Sequence, residues 1–288
     1  AFNCEKTIGK CLNSIYEQNT DLKYEVIVVN DGSVDKTVNV VNEYIKINNN
    51  IIILSQNNKG AGAARNKGIE ASNGDYLLFI DADDYLLPNA LNVIKTELNK
   101  KDIDVLIYTY RYFDEKENKF KDMPKRDSDI YCNQKILGRV FSFSEYEKIH
   151  ECIAYPWNKV FSREFVNKNE LRFSETIVHN DIFFNIASEF LANKIKIVND
   201  VLYVHVINKV DGQLTQRFDE IRLNAMVVLD QCDSFFRERK VANGNNISYL
   251  VFKAILIDWA ISKAKGAIRD AFVNYMNVFL RSLDSRVI

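Results

Sequence analysis

Short runs of apolar, β-favouring residues alternate along the chain with segments whose apolar residues recur at helical spacing. The apolar runs are residues 24–29, 51–54, 76–80 and 105–108. Helical patterns fill the intervals, for example at Ile8, Cys11, Leu12 and Ile15. This alternation predicts an α/β fold with a Rossmann-like, mostly parallel sheet flanked by helices.

Three carboxylates in four residues follow the apolar run 76–80, at Asp81, Asp83 and Asp84. In open parallel sheets, ligands bind at the carboxyl ends of the strands, so these acids are expected at the mouth of a crevice. Crowded carboxylates repel one another, and a divalent cation such as magnesium or manganese relieves that repulsion. The alternative is a solvated acidic turn before a helix that starts near Pro88. The fragment alone leaves both open.

The second half of the chain changes character twice. Residues 114–129 are charged and polar, which predicts a flexible excursion. Residues 179–181 open a predicted helix, and the apolar runs 195–198 and 202–206 predict two short strands. The pattern is helical after Arg217. Three parts are therefore predicted: two halves of one α/β domain, residues 1–112 and 113–216, and a helical C-terminal region, residues 217–288.

Composition excludes several classes of function. The formal net charge is −1, which provides no bulk attraction to nucleic acid. No apolar stretch reaches the roughly 18 residues that a transmembrane helix needs. The five cysteines are widely spaced and contain no C-x-x-C pair, which argues against a disulfide framework or a zinc site. A cytoplasmic globular protein is therefore expected.

Four short sequence motifs follow one another in the first 84 residues. They are Phe2-Asn3 before the first helix, Val28-Val29-Asn30-Asp31-Gly32-Ser33, Asn58-Lys59-Gly60 leading to Ala64-Arg65-Asn66-Lys67-Gly68, and Asp81-Ala82-Asp83-Asp84. In this order and spacing the chain resembles the bacterial inverting glycosyltransferases of family 2, which have the GT-A fold. The resemblance implies that residues 1–112 bind a nucleotide-sugar and residues 113–216 bind the acceptor, and it does not extend to the C-terminal helices.

The resemblance implies a nucleotide-sugar donor, most often UDP-linked, held by residues of the first half. Asp31 would bind the base or ribose and Asp81 the ribose. Asn58 and Arg65 would hold the nucleotide or order the neighbouring loop. Two structural alternatives stay open: Asp31 could close its own loop as an Asx turn, and Arg65 could pair with Asp81 or Asp83.

A divalent cation and a general base are also implied. Asp83 and His205 would hold manganese or magnesium against the donor diphosphate, and Asp181 would take the proton of the acceptor hydroxyl. Many family members have Glu-Asp at the base position, where this chain has Asn180-Asp181. The structural alternatives are an acid favoured by the helix N-terminus for Asp181 and a satisfied core histidine for His205.

A glycan or lipid-linked acceptor is implied, with Trp157 and Lys159 on the acceptor side. A buried tryptophan that anchors the core is the alternative for Trp157. Residues 248–288 combine apolar positions with nearby lysines and an arginine. Such a helix could rest on the inner face of a membrane, pair with a second subunit, or pack back onto the catalytic domain.

Two other functions fit parts of the pattern. One is a catalytically inactive, nucleotide-binding scaffold. The other is a phosphatase of the haloacid-dehalogenase type, which also ends a strand in Asp-x-Asp but carries Thr or Val where this chain has Tyr85. Family 2 enzymes begin with an apolar strand just before Phe-Asn, so a strand is also expected ahead of Phe2.

Overall fold

The computed structural model describes residues 1–99, 102–208, 218–240 and 246–284. The helices are α1 (Ile8–Tyr16), α2 (Thr37–Ile47), α3 (Ala61–Ala71), α4 (Ala90–Leu98), α5 (Lys125–Tyr131), α6 (Arg163–Lys168), α7 (Ile182–Leu191), α8 (Asn224–Glu238), α9 (Ile247–Lys263) and α10 (Gly266–Asp284). The strands are β1 (Val26–Asn30), β2 (Ile51–Ser55), β3 (Tyr76–Leu78), β4 (Tyr85–Leu86), β5 (Val105–Asp114), β6 (Lys119–Asp122), β7 (Val140–Phe141), β8 (Lys159–Ser162) and β9 (Ile195–Ile207). Short 3-10 helices lie at Phe143–Glu145, Glu147–Glu151 and Glu220–Leu223.

Two sheets form within these ranges. Strands β1 and β2 pair in parallel. The larger sheet has the order β3-β8-β5-β9-β4, with β6 added to β5 and β7 to β9. Its centre is β5, where Val105, Ile107 and Tyr108 are fully buried. A continuous apolar run is what a strand covered on both faces requires, so the sequence pattern and the burial agree.

The alternation of strands and helices is confirmed, but the larger sheet is mixed and not mostly parallel. Strands β5 and β9 are parallel, whereas β8 runs antiparallel to both β3 and β5. The short strands β4, β6 and β7 also pair antiparallel. A hairpin return allows antiparallel pairing, while a parallel pair needs a long crossover, and residues 114–207 contain both kinds of connection.

The prediction of a flexible excursion over residues 114–129 is wrong. Strand β6 folds back on β5 as a hairpin, and α5 follows directly. The buried Asp114 carboxylate accepts hydrogen bonds from Lys121 Nζ and from Asn208 Nδ2, at 2.5 and 2.7 Å. A high content of charged residues therefore reflects an ion-paired hairpin at this position.

The domain and strand boundaries predicted from the sequence can be compared with the observed elements. The 112/113 boundary falls inside β5, so the two halves of the domain share that strand. The runs 195–198 and 202–206 join into the one long strand β9. The 216/217 boundary lies outside the described residues. Beyond it, the described residues form the helices α8, α9 and α10 and one short 3-10 helix, and the division into three parts stays a prediction.

A cleft of about 510 Å³ separates β1 from β3. Its walls include the apolar side chains of Val26, Val28, Leu77 and Phe79. At one end, the Ala1 amino group donates to Val29 O and Ala1 O accepts from Asp31 N, both at 2.8 Å. The strand expected ahead of Phe2 stays a prediction.

Candidate active site

The chemically equipped residues lie where β1 and β3 end. Asp31 follows β1, and Asp81, Asp83 and Asp84 follow β3. The N-terminal ends of α3 and α7 and the second half of β9 bring further polar side chains to the same region. The principle that ligands bind at the carboxyl ends of strands therefore identifies this region as the candidate site.

The Asp31 carboxylate organises the loop that leads into α3. It accepts hydrogen bonds from Gln56 Nε2, Lys59 N and Gly60 N at 2.8–2.9 Å and is 4% exposed. This is the loop-closing arrangement, and nucleotide binding by Asp31 stays a prediction. Asn58 is exposed beside Gly32, where φ is +79° and a Cβ would lie 2.9 Å from Asn58 N.

Arg65 joins the two sides of the site. Its guanidinium donates to Asp81 Oδ1 and to Asn180 Oδ1, both at 2.7 Å, and lies 5.3 Å from the centre of the Phe173 ring. The predicted ion pair with Asp81 is therefore present. Because Asn180 directly precedes Asp181, Arg65 connects the acids after β3 to the start of α7.

Asp81, Asp83 and Asp84 can bring one carboxylate oxygen each within 4.8 Å of one another. Asp84 is 1% exposed and accepts from Tyr203 Oη, His205 Nδ1 and Val206 N at 2.9, 2.7 and 2.8 Å. With both Asp84 oxygens engaged by β9, Asp81 and Asp83 remain the better candidates for a cation. Clustered carboxylate oxygens fit a hard ion such as magnesium or manganese.

His205 is oriented by Asp84. Burial alone would lower the pKa of His205, but the adjacent Asp84 carboxylate outweighs burial and raises it. When the ring is neutral, a proton on Nδ1 donated to Asp84 leaves the Nε2 lone pair for a ligand. This carboxylate–histidine pair is the usual support of a metal-binding imidazole, so the residues present fit the predicted cation.

Trp157 and Lys159, predicted on the acceptor side, are both buried side chains. Trp157 is 2% exposed and stacks on Tyr203, with ring centres 4.6 Å apart, and on His205, at 5.2 Å. Lys159 is fully buried, donates to Tyr155 O at 2.7 Å and lies 3.5 Å from Glu189 Oε1. The burial of Trp157 fits the alternative of a tryptophan that anchors the core, and the acceptor-side role of both residues stays a prediction.

Asp181 immediately precedes α7, as predicted. Its carboxylate does not cap the helix, and among the described residues no other residue forms a hydrogen bond or ion pair with it. Burial raises the pKa of Asp181 to about 6, while Arg65 and Lys159 oppose that rise. A carboxylate of this pKa is ionised at neutral pH and is still basic enough to accept a proton.

The close packing between α3 and the segment that carries Asp181 was not predicted from the sequence. Asn66 exchanges two hydrogen bonds with the backbone of Phe173, at 2.8 and 3.0 Å. A Cβ at Gly62 would lie 2.0 Å from Ser174 O and 3.0 Å from Asn180 Cβ. Glycine at position 62 could have been noticed as a helix residue that allows a close approach.

Replacement of Gly62 by alanine should therefore destabilise the protein by about 1–3 kcal/mol, since the backbone of the facing segment must move. Urea unfolding would measure the loss. Gly68→Ala is the matched control in the same helix, because a Cβ there meets Val29 Cγ2 at an ordinary 3.8 Å. The control should be neutral or stabilising by up to about 1 kcal/mol. Equal stability of the two variants would contradict the close packing.

The mixed sheet flanked by helices, with acids at the end of β3 and a base candidate before α7, defines the GT-A class of proteins. The chain belongs to glycosyl transferase family 2, whose sequence model matches residues 1–169. Asp31, Asp81 and Asp83 lie within the matched segment, whereas Asp181 and His205 lie beyond it.

Two curated relatives illustrate the family. EpsH of Bacillus subtilis (strain 168), named as a glycosyltransferase, is 29% identical over 246 residues, covering 82% of this chain and 66% of EpsH. Glycosyltransferase GlyA of Streptococcus pneumoniae serotype 4 is 28% identical over 229 residues, covering 78% of this chain and 32% of GlyA. The chain thus spans less than two thirds of the length of these relatives.

Solved structures show the same fold. Staphylococcus aureus TarS, residues 1–349 in complex with UDP-GlcNAc, has a TM-score of 0.66 and 18% identity, covering 97% of this chain and 86% of that one. The mannosyltransferase PcManGT of Pyrobaculum calidifontis, in complex with GDP-Man and Mn²⁺, has a TM-score of 0.59 and 15% identity, covering 97% and 78%. In the described part of this chain, no helix combines the length and apolar character needed to cross a membrane.

Proposed function

We propose that this chain is a metal-dependent, inverting glycosyltransferase that moves a sugar from a UDP-linked donor to a hydroxyl of a glycan or lipid-linked acceptor. The observation that carries the proposal is the Asp181 carboxylate, unpaired among the described residues and with a pKa of about 6, joined through Asn180 and Arg65 to the acids after β3. A general base and a cation-binding cluster are the two groups that an inverting, metal-dependent transfer from a nucleoside diphosphate uses.

Each residue then has a role. Asp181 takes the acceptor proton as the hydroxyl attacks, on the side of the sugar carbon opposite the leaving diphosphate. Asp83 and His205 would hold the manganese or magnesium ion, which supplies Lewis-acid stabilisation of the charge on that diphosphate. Asp31, Asn58 and Asp81 would bind the nucleotide. Arg65 positions Asp81 and Asn180 and keeps positive charge beside Asp181.

The donor and the compartment belong to the same proposal. TarS in complex with UDP-GlcNAc supports UDP, and PcManGT in complex with GDP-Man and Mn²⁺ supports a cation and leaves GDP as the competing nucleotide. All five cysteines are free, which supports a reducing, cytoplasmic location. Contact with the inner face of a membrane or a homodimer through the C-terminal helices remains compatible with this assignment.

A panel of nucleotide-sugars incubated with the protein and manganese tests the proposal. We expect release of the free nucleotide from one donor class by slow hydrolysis, faster release with an acceptor, and loss of both in excess EDTA. Binding of UDP in calorimetry without release of nucleotide from any donor would instead indicate a scaffold. Release that is insensitive to EDTA would contradict metal dependence.

The rate should also depend on pH in a defined direction. Because Asp181 acts in its ionised form and its pKa is about 6, the rate should rise as the pH increases through about 6 and level off above it. Measurement of the turnover number from about pH 5 to about pH 8 at saturating donor would show this limb. The residual rate of Asp181→Asn should lack it. A wild-type rate that falls as the pH rises through this range would argue against Asp181 as the base.

A further inference from the structure

The segment of residues 173–181, which we call the base loop, ends at Asp181. It is held by contacts with α3 on one side and with α8 on the other. On the donor side it packs against α3 through Gly62, Arg65 and Asn66, as described above. Its own ends are joined, because Ser174 N donates to Asn180 O at 3.0 Å. The loop is thus a closed turn whose position fixes where α7 and Asp181 begin.

On the other side the base loop is held by α8. Asn224 Oδ1, at the first residue of α8, accepts from Ile177 N at 3.2 Å and from Val178 N at 3.5 Å. Two turns further along α8, Gln231 Oε1 accepts from Ser174 Oγ at 2.6 Å. These contacts cross from the C-terminal region to the catalytic domain and end on the backbone and side chain of the base loop.

A second contact supports the loop two residues before Asp181. His179 has a left-handed backbone, with φ of +61°, which is costly for a residue with a Cβ. Its Nε2 lies 3.5 Å from Arg222 Nη1, and burial together with the Arg222 charge lowers the pKa of His179 to about 4. The neutral ring can therefore accept a hydrogen bond from Arg222.

Aromatic rings of the C-terminal region hold Arg222 in place. The Arg222 side chain is 3% exposed and its guanidinium carbon lies 5.0 Å from the Phe218 ring centre and 5.7 Å from that of Trp259. The Trp259 ring also meets His179 edge to face, with ring centres 6.1 Å apart. Helix α9 therefore supports the base loop through Trp259 and Arg222.

Resting on the proposed function, we propose that Asn224 and Arg222 are positioning residues that hold the base loop so that Asp181 lies in line with the reacting sugar carbon. The C-terminal helices are then part of the catalytic unit. None of these residues lies in the segment matched by the family model, residues 1–169. The strained backbone at His179 shows that the loop conformation is imposed by its surroundings, as a positioning role requires.

The test is a set of three substitutions read by nucleotide release from the active donor, with manganese present. Asn224→Ala removes the acceptor of the Ile177 and Val178 amides, so we expect the turnover number to fall about tenfold or more. Affinity for UDP, measured by calorimetry, should stay within about twofold because Asn224 does not touch the donor side. Asn224→Asp keeps a side-chain oxygen at the same place and should restore most of the rate. Asn274→Ala, an exposed asparagine of α10, is the matched control and should be neutral.

Each outcome has a clear meaning. A wild-type turnover number in Asn224→Ala, alongside an inactive Asp181→Asn, would overturn this inference and leave the proposed function intact. A wild-type protein that releases nucleotide from no donor would remove the proposed function and this inference with it. If Asn224→Ala fails to fold, Gln231→Ala removes the other contact of α8 with the base loop, the bond to Ser174 Oγ, from an exposed position. A lower turnover number at unchanged UDP affinity would then support the inference, and a wild-type turnover number would overturn it.

Discussion

Asp181→Asn is expected to lower the rate of sugar transfer about 10²- to 10⁴-fold, the range that a general base contributes. The amide has nearly the shape of the carboxylate but cannot accept the proton of the acceptor hydroxyl. Because no described residue depends on the Asp181 carboxylate for a hydrogen bond or an ion pair, the fold should persist. Turnover of the active donor, melting temperature and UDP affinity together separate lost chemistry from lost structure.

Asp200→Asn is the matched control, because Asp200 is an exposed acid of β9 and the substitution makes the same change of charge. It should leave turnover and stability unaltered. A wild-type rate in Asp181→Asn would show that another group accepts the proton, and the assignment of Asp181 would have to be withdrawn.

The second large effect is expected for Asp83→Ala. A fixed cation stabilises the leaving diphosphate by several kcal/mol, so removal of a ligand should cost about 3 kcal/mol, or more than a hundredfold in rate. Manganese titration of the rate and direct manganese binding by calorimetry would both report the loss. His205 should retain part of the affinity, since Asp84 still orients its ring.

Asp75→Ala provides the comparison for Asp83→Ala, because Asp75 is an exposed acid just before β3. Its manganese dependence should match that of the wild type. Undiminished manganese binding by Asp83→Ala would place the ion elsewhere, and the acids after β3 would then have only a structural part in the site.

The positions of β1, β2, β3 and β5, and of the acids that follow β1 and β3, were predictable from the sequence. A continuous apolar run fits a strand covered on both faces, and the abrupt change to acids marks its end. This reasoning located Asp31, Asp81 and Asp83 correctly at strand ends. Strand direction was not predictable in the same way, because the pattern within β8 is the same whether it runs parallel or antiparallel to its neighbours.

Burial of polar residues was harder to foresee. Lysine is a residue type that usually lies on the surface, yet the ammonium group of Lys159 is buried and three backbone and side-chain oxygens surround it. Trp157 was given an acceptor-side role with a buried core residue as the alternative, and its ring is covered by the nearby Tyr155 and by Tyr203 and His205, which lie more than 40 residues further along the chain. Contacts of this kind depend on the completed fold, and residue type alone does not reveal them.

The hydrogen bond between Arg65 and Asn180 joins residues 115 positions apart, and no local sequence pattern predicts it. The same holds for Asp84, for which a solvated acidic turn was the structural alternative. It instead bonds to β9 through Tyr203, His205 and Val206, and α4 begins only at Ala90. At both positions a side chain that looks locally determined is satisfied by a partner far along the chain.

The base loop contacts both α3 and the C-terminal region, and this has a consequence for protein engineering. A chimaera that takes α8, α9 and α10 from a relative would replace Asn224, which contacts the base loop of the catalytic domain. The C-terminal helices of the relative would have to supply the contacts of Asn224 and Arg222 with the base loop. Helix α3 supplies only the contacts on the opposite side of the loop. Exchange of these helices should therefore lower the turnover number of the enzyme, even when both parts of the chimaera fold.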